Sequence, residues 1–182
     1  NKVIGSSGFL LVDAGSHYEF GTTDATRTIA CGPLSDWQCK CYTWVLKGMI
    51  AVASARFAHE TVGVDLDAMA RYYLKENGLD YGHGTGHGVG HVLSVHERGA
   101  TLNARSTKPL LAGMVLSDEP GYYQEGDFGI RIENMLAVSD LDKSTYTFSV
   151  LTLIPLELKA ICIDLLSSEE KKWVNDYHRR IR

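Results

Sequence analysis

A glycine- and histidine-rich segment near the middle of the chain restricts the fold more than any other feature. Residues 83–97 read HGTGHGVGHVLSVHE and hold four of the seven histidines, His83, His87, His91 and His96. The repeated glycines exclude an ordinary helix and let the backbone approach a bound group closely. Histidines four positions apart would share one face of a helix, so without a helix this spacing alone does not establish a metal site. Four imidazoles in one such stretch still favour a functional cluster over scattered surface histidines.

The overall composition indicates a folded domain and excludes several classes of protein. The 182 residues are 45% hydrophobic and 22% charged, which is enough apolar material for a core and too much for a disordered chain. A net charge of −4 disfavours a nucleic-acid partner. There is no apolar run of about 18 residues, so no membrane-spanning helix is expected.

Short runs rich in apolar or β-branched residues predict the strands. They cover residues 9–13, 22–29, 114–119, 129–138 and 147–158. Because helices are interspersed and no proline-, serine- or glycine-rich linker divides the chain, the pattern predicts one α+β unit.

Three helices are predicted from capping signals and apolar stripes. The first and third follow Ser35 and Ser167, each of which forms a capping-box pattern with the residue three positions later. The second spans about 64–77, and Gly78 is placed to cap its end. Its predicted core side holds Leu66, Met69, Ala70 and Tyr73.

Acidic residues recur where the predicted strands should be apolar. Asp13 ends the first strand, Asp24 lies inside the second, Glu119 ends the third and Glu133 lies inside the fourth. A buried carboxylate is costly unless it is ion-paired or holds a metal. One such acid is most often a salt-bridged structural residue, but four of them favour a shared cation.

This donor set suits particular ions. Carboxylates with one or two imidazoles fit hard or borderline ions such as manganese and do not fit thiolate-bound zinc. Four acids carry more negative charge than one divalent ion neutralises, so the set favours two ions and hydrolytic chemistry. By the two-residue period of a strand, Thr26 shares a face with Asp24, and Arg131 shares a face with Glu133.

The cysteines give a weaker indication of the cellular compartment. Cys31, Cys39, Cys41 and Cys162 form no C-x-x-C pair, which disfavours a structural zinc cluster. Free thiols are therefore favoured over disulfides, and this favours the cytoplasm.

Four segments together resemble the pita-bread metallopeptidases: VDAGSHYEFGTTDATRT, HGTGHGVGHVLSVHE, SDEPGYY and GIRIENML. Within that family the chain is similar to aminopeptidase P, the Xaa-Pro aminopeptidases of the cytosolic eukaryotic type. The resemblance implies a curved antiparallel β-sheet with flanking helices, and hydrolysis of the bond between an N-terminal residue and a following proline. Because such catalytic domains extend well upstream of the VD motif, residues 1–182 are expected to be the C-terminal part of one, N-terminally truncated.

The resemblance also implies roles for individual residues. The five ligands of two divalent ions, manganese by preference, would be Asp13, Asp24, His87, Glu119 and Glu133. Glu119 would also act as general base and then general acid, His96 would stabilise the oxyanion or orient the carbonyl, and His83 would shape the proline pocket. Substrate-binding or ligand-supporting roles are implied for Arg131, Tyr123 and Thr26.

Two other functions remain open at the level of the sequence. A prolidase has the same fold but cleaves only dipeptides that end in proline. A non-catalytic peptide-binding module, or an inactive fragment, is the second alternative. The family is often dimeric, so the resemblance also implies a homodimer, in addition to peptide substrates. One departure from the family pattern is Arg98-Gly99, close to His96, where Gly-Pro is usual.

Overall fold

A six-stranded antiparallel sheet forms the centre of the structure, a computed structural model that describes residues 3–182. In chain order the strands are β1 Phe9–Tyr18, β2 Gly21–Ala30, β3 Arg56–Ala58, β4 Gly86–Val89, β5 His96–Leu102, β6 Val115–Asp118, β7 Gly121–Gln124, β8 Phe128–Arg131, β9 Asn134–Asp140 and β10 Thr145–Val150. The central sheet has the order β3-β10-β9-β6-β4-β5, while β1-β2 and β7-β8 form separate antiparallel pairs. The predicted α+β architecture is confirmed.

Helices pack against these strands and begin where the sequence predicts, although the second ends two residues earlier than predicted. They are α1 Asp36–Ala53, α2 Gly63–Lys75 and α3 Ser168–Ile181, with short 3₁₀ helices at Leu158–Ala160 and Ile163–Leu165. Ser35 and Ser167 both form complete capping boxes, as predicted. Gly78 has a φ of +72°, the left-handed conformation that glycine adopts readily after a helix. No described helix combines the length and the apolar character that crossing a bilayer would require.

The core lies between α1, α2 and the central sheet. α1 is buried on most of its sides, and a Cβ at Gly48 would lie 2.2 Å from the carbonyl oxygen of Ala70, so glycine permits the close contact with α2. The prediction that Met69 lies on the core side of α2 is wrong, since Met69 is 38% exposed. The buried face of α2 instead includes the ion pair between Asp67 and Arg71.

The structure corrects the boundaries of three predicted strands. β1 continues to Tyr18, so Asp13 pairs with Thr26 in the middle of a strand. The run 129–138 is interrupted after Arg131, because β8 pairs with β7 whereas β9 joins the central sheet. Glu133 lies at this switch between two ladders. The run 147–158 is strand only as far as Val150, and the chain then continues without regular structure to the first 3₁₀ helix.

The cysteines match the prediction from the sequence. All four are free thiols in the described part of the chain.

Candidate metal centre

One cleft of 360 Å³ collects all five predicted ligands. Asp13 and Asp24 come from the β1-β2 hairpin, and His87 comes from β4. Glu119 follows β6, and Glu133 lies between β8 and β9. The cleft therefore forms only where the hairpin, the central sheet and the chain crossing between the ladders meet.

Three of these side chains form the tightest group in the described residues. Asp24, His87 and Glu133 each offer one donor atom, and the three atoms lie within 4.8 Å of one another. His87 Nε2 is also 3.3 Å from Asp24 Oδ2 and 3.3 Å from Glu119 Oε1. Glu119 thus borders the group.

The backbone around His87 selects the tautomer that can bind a metal. Its Nδ1 lies 2.9 Å from the carbonyl oxygen of Gly88, which can only accept a hydrogen bond. In a neutral ring, Nδ1 therefore carries the hydrogen and Nε2 keeps its lone pair, which faces the acids. Burial opposes protonation of His87, but the hydrogen bonds to Asp24 and Gly88 and the charge of Glu119 outweigh burial and raise its pKa.

Glu133 is the most deeply buried of the five, at 2% exposure. The Thr26 hydroxyl donates to its Oε2 at 2.6 Å, while Oε1 is buried without a hydrogen-bond partner among the described residues. Burial first, and then the charges of Glu119, Asp24 and Asp13, raise the pKa of Glu133 to about 8. An unpartnered carboxylate oxygen beside other acids is the arrangement that a bound cation would satisfy, so these residues fit a metal.

Asp13 lies at the exposed margin of the cleft. Its carboxylate accepts a hydrogen bond from Arg131 Nη2, and 46% of its side chain is exposed. Arg131 also donates to the Thr26 hydroxyl at 3.3 Å and to the Tyr123 hydroxyl at 2.9 Å. One guanidinium thus connects Asp13 with Tyr123 in the neighbouring pocket and with Thr26, whose hydroxyl holds Glu133.

A second pocket of 400 Å³ opens on the other side of His87 and Glu119. His83 Nε2 lies 2.8 Å from the Tyr123 hydroxyl, and His83 Nδ1 lies 2.8 Å from the Gly84 carbonyl oxygen. Because the Gly84 carbonyl oxygen only accepts, Nδ1 carries the hydrogen in a neutral ring, and Nε2 then accepts the hydroxyl of Tyr123, which itself accepts from Arg131. Burial lowers the pKa of His83, in agreement with a neutral ring.

His96 lies next to His87, the histidine predicted to be a ligand, and its strand is irregular. The rings of His96 and His87 are 4.0 Å apart at 77°. β4 and β5 change register here, since His87 pairs with Thr101 while Gly88 pairs with Glu97. The intervening residues bulge out of the ladder. The unusual Arg98-Gly99 pair therefore belongs to a β-bulge at the edge of the cleft.

Several residues of the site escaped the sequence analysis. Ser117 accepts from the His87 backbone N–H at 3.0 Å and donates to Glu119 Oε1 at 2.9 Å. Strand alternation could have revealed it, because Ser117 and Glu119 are two positions apart. Asp118 is fully buried with neither carboxyl oxygen bonded within the described residues, and burial raises its pKa well above the ordinary range. His17 also lines the cleft.

The carboxylate-rich cleft beside an antiparallel sheet is the arrangement expected of the pita-bread metallopeptidase fold. The sequence pattern of metallopeptidase family M24 matches residues 1–140, and that of the C-terminal region of peptidase M24 matches residues 144–182. The chain belongs to metallopeptidase family M24.

Individual relatives agree with this assignment. The chain is 46% identical over 181 residues to a probable Xaa-Pro aminopeptidase P of Coccidioides posadasii, covering 94% of this chain and 30% of that protein. It is 47% identical over 190 residues to a protein of the same description from Ajellomyces capsulatus, covering 99% and 31%. The chain thus spans about a third of the length of the curated relatives that it matches.

Solved structures confirm the predicted fold. The X-prolyl aminopeptidase of Caenorhabditis elegans, described as a cytosolic enzyme with a di-nuclear active site, matches with a TM-score of 0.91 and 41% identity, over 94% of this chain and 29% of that one. The Xaa-Pro dipeptidase of Bacillus anthracis matches with a TM-score of 0.76 and 35% identity, over 86% and 42%.

Proposed function

We propose that residues 1–182 are the metal-binding, C-terminal part of the catalytic domain of a two-metal Xaa-Pro aminopeptidase. The observation that carries the proposal is the group of Asp24, His87 and Glu133, with donor atoms within 4.8 Å of one another and a buried Glu133 oxygen that lacks a partner. Similarity to the Xaa-Pro aminopeptidases supports the choice of substrate.

The proposed ligands are the four acids and one imidazole that line the cleft, Asp13, Asp24, Glu119, Glu133 and His87. Their oxygen-rich character favours manganese. Bound there, a pair of divalent ions would neutralise the acids, polarise the scissile carbonyl and lower the pKa of a water molecule. Binding would also displace the proton that Glu133 holds at neutral pH.

Glu119 is the proposed general base and acid. Burial raises its pKa, although the Ser117 hydroxyl and the charges of His87 and Arg131 oppose that effect. A carboxyl tuned upward in this way can take a proton from the attacking water and return it to the leaving proline nitrogen. Ser117 fixes its orientation through Oε1.

The pocket lined by His83 and Arg131, which both hydrogen-bond to Tyr123, is the proposed binding site for the proline side of the substrate. Proline has no N–H and a fixed φ, so an ordinary peptidase that needs a backbone donor at this position excludes it. A neutral His83 and the Tyr123 ring beside it offer such a residue uncharged contacts, while Arg131 and Glu119 line other parts of the pocket. His96, beside His87, is the proposed donor to the oxyanion.

The test uses the purified chain loaded with manganese, with His87→Asn as the control because Asn is a smaller polar side chain that lacks the ligand nitrogen. We expect about two manganese ions per wild-type chain, lost in the control. Hydrolysis of Xaa-Pro-Xaa peptides, absent in the control, completes the expected result. Binding of only trace manganese by the wild type would contradict the proposal and favour the non-catalytic alternative.

Prolidase activity is the alternative within the same fold, and the similarity to a Xaa-Pro dipeptidase supports it. Comparing a Xaa-Pro dipeptide with Xaa-Pro-Xaa peptides separates the two enzymes. Cleavage of the dipeptide alone would replace aminopeptidase by prolidase.

We also propose a homodimer and a cytoplasmic location. Light scattering at two concentrations tests the dimer, and imaging of a tagged protein in cells tests the location. The free state of all four described cysteines supports a reducing compartment.

A further inference from the structure

A buried arginine lies directly behind the metal cleft without an acidic partner. Arg27 follows Thr26 on β2 and is only 6% exposed. Among the described residues no carboxylate forms an ion pair with it, and its guanidinium donates only to neutral oxygens. A buried cation is expensive, so its position must depend on this full set of hydrogen bonds.

One nitrogen of Arg27 holds the backbone of a proposed ligand. Nη1 donates to the carbonyl oxygen of Glu133 at 2.6 Å and to that of Thr26 at 2.8 Å. The Thr26 hydroxyl holds the Glu133 carboxylate, and the Glu133 N–H donates to the Thr26 carbonyl oxygen at 3.1 Å. Glu133 is therefore held at both its backbone and its side chain from one short stretch of β2.

The remaining nitrogens of Arg27 reach the C-terminal part of the chain. Nη2 donates to the Ile154 carbonyl oxygen at 2.8 Å and to the Tyr177 hydroxyl at 2.8 Å. Nε donates to the carbonyl oxygens of Ile154 and Pro155 at 3.2 and 3.1 Å. These carbonyls are free to accept because the chain leaves the sheet after Val150.

We propose that Arg27 is a positioning residue that couples the C-terminal region, residues 151–182, to Glu133. This inference rests on the proposed function, since Glu133 is a proposed ligand. The planar guanidinium presents five donors in a fixed fork, whereas lysine has three donors on one atom and cannot reproduce them. Metal affinity then depends on Tyr177 in α3, a residue that lines no part of the cleft.

The experiment compares three variants of the whole chain. Arg27→Lys keeps the charge and loses the fork, and Tyr177→Phe removes one hydroxyl. Arg180→Lys is the matched control, because Arg180 also donates to a backbone carbonyl, that of Val150 at 2.9 Å, and makes no contact with Glu133. Calorimetry measures manganese affinity, and NMR measures hydrogen exchange of the Glu133 amide in the metal-free protein.

We expect manganese affinity to fall by about 10- to 100-fold in Arg27→Lys and by a smaller factor in Tyr177→Phe, while the control stays unchanged. The hydrogen-exchange rate of the Glu133 amide should rise most in Arg27→Lys, less in Tyr177→Phe and not at all in the control. Unchanged affinity in a folded Arg27→Lys would overturn the inference. If Arg27→Lys does not fold, unchanged affinity in Tyr177→Phe would overturn it. If the wild type binds no manganese, the proposed function fails separately, and unchanged amide exchange in the variants then decides against Arg27.

Discussion

Replacing Glu133 by glutamine should make the metal-free protein more stable at alkaline pH. Burial and neighbouring acids raise the pKa of Glu133 to about 8 from an ordinary value of 4.5. The folded state therefore binds this proton more tightly than the unfolded state does. The free energy of unfolding is unaffected below pH 4.5 and falls as pH rises towards 8.

The size of this loss of stability follows from the difference between the ordinary and the raised pKa of Glu133. One pH unit corresponds to about 1.4 kcal/mol, so the glutamate costs the metal-free fold about 5 kcal/mol once it is ionised. About 3–4 kcal/mol of this loss falls between pH 5 and pH 8. Glutamine cannot ionise, and its amide oxygen can still accept the Thr26 hydroxyl that Glu133 Oε2 accepts at 2.6 Å. Its unfolding free energy should therefore decline less over this range.

Urea unfolding at pH 5 and pH 8, in the presence of a chelator, measures the difference. Asp118 has a raised pKa for the same reason, so both proteins keep a residual decline, and the comparison between them isolates Glu133. Adding manganese at pH 8 should stabilise the wild type more than the variant, because only the wild type can offer the ion a negatively charged Glu133 carboxylate. Parallel pH dependence in the two proteins would refute the reasoning.

Three further outcomes are expected. Gly86→Ala should destabilise β4, because its Cβ would lie 1.9 Å from the backbone carbonyl of Ser117, and circular dichroism melting would show a lower Tm. Lys47 Nζ lies 2.5 Å from Glu170 Oε2 on α3, so Lys47→Met leaves that buried carboxylate without its ion-pair partner. Urea unfolding should show that the free energy of unfolding falls by about 3–5 kcal/mol, against less than about 1 kcal/mol for Lys172→Met, whose ion pair is exposed. Tyr123→Phe removes the hydroxyl between the pocket arginine and histidine; kcat/KM should fall about tenfold with manganese affinity unchanged, and equal loss of both would contradict the pocket assignment.

Local sequence patterns were sufficient to predict much of the fold and much of the cleft. Alternation on β2 placed Asp24 and Thr26 on one face, and both are buried there. Capping boxes located the starts of α1 and α3 because the cap is decided by neighbouring residues. The glycine-rich segment is a strand at Gly86–Val89, in agreement with the exclusion of a helix.

The sequence did not predict the features that depend on contacts between distant parts of the chain. An unbroken strand was predicted around Glu133, and no local signal marks its transfer from one ladder to another. Arg27 escaped notice because its acceptors are backbone carbonyls, which every residue has and which only the tertiary fold brings together. Met69 is exposed although it shares an apolar side of α2 with Leu66 and Ala70, because hydrophobicity alone cannot tell which stripe of α2 meets α1.

The separation of the cleft residues along the chain has a consequence for biosynthesis. Thr26 and Glu133 are 107 positions apart, and Arg27 and Tyr177 are 150 positions apart. Because a ribosome delivers the amino-terminal acids first, they emerge long before the groups that complete and brace their surroundings. Capture of a cation by the proposed ligands would therefore follow the synthesis of Glu133, and bracing of that residue by Arg27 would follow the emergence of Tyr177.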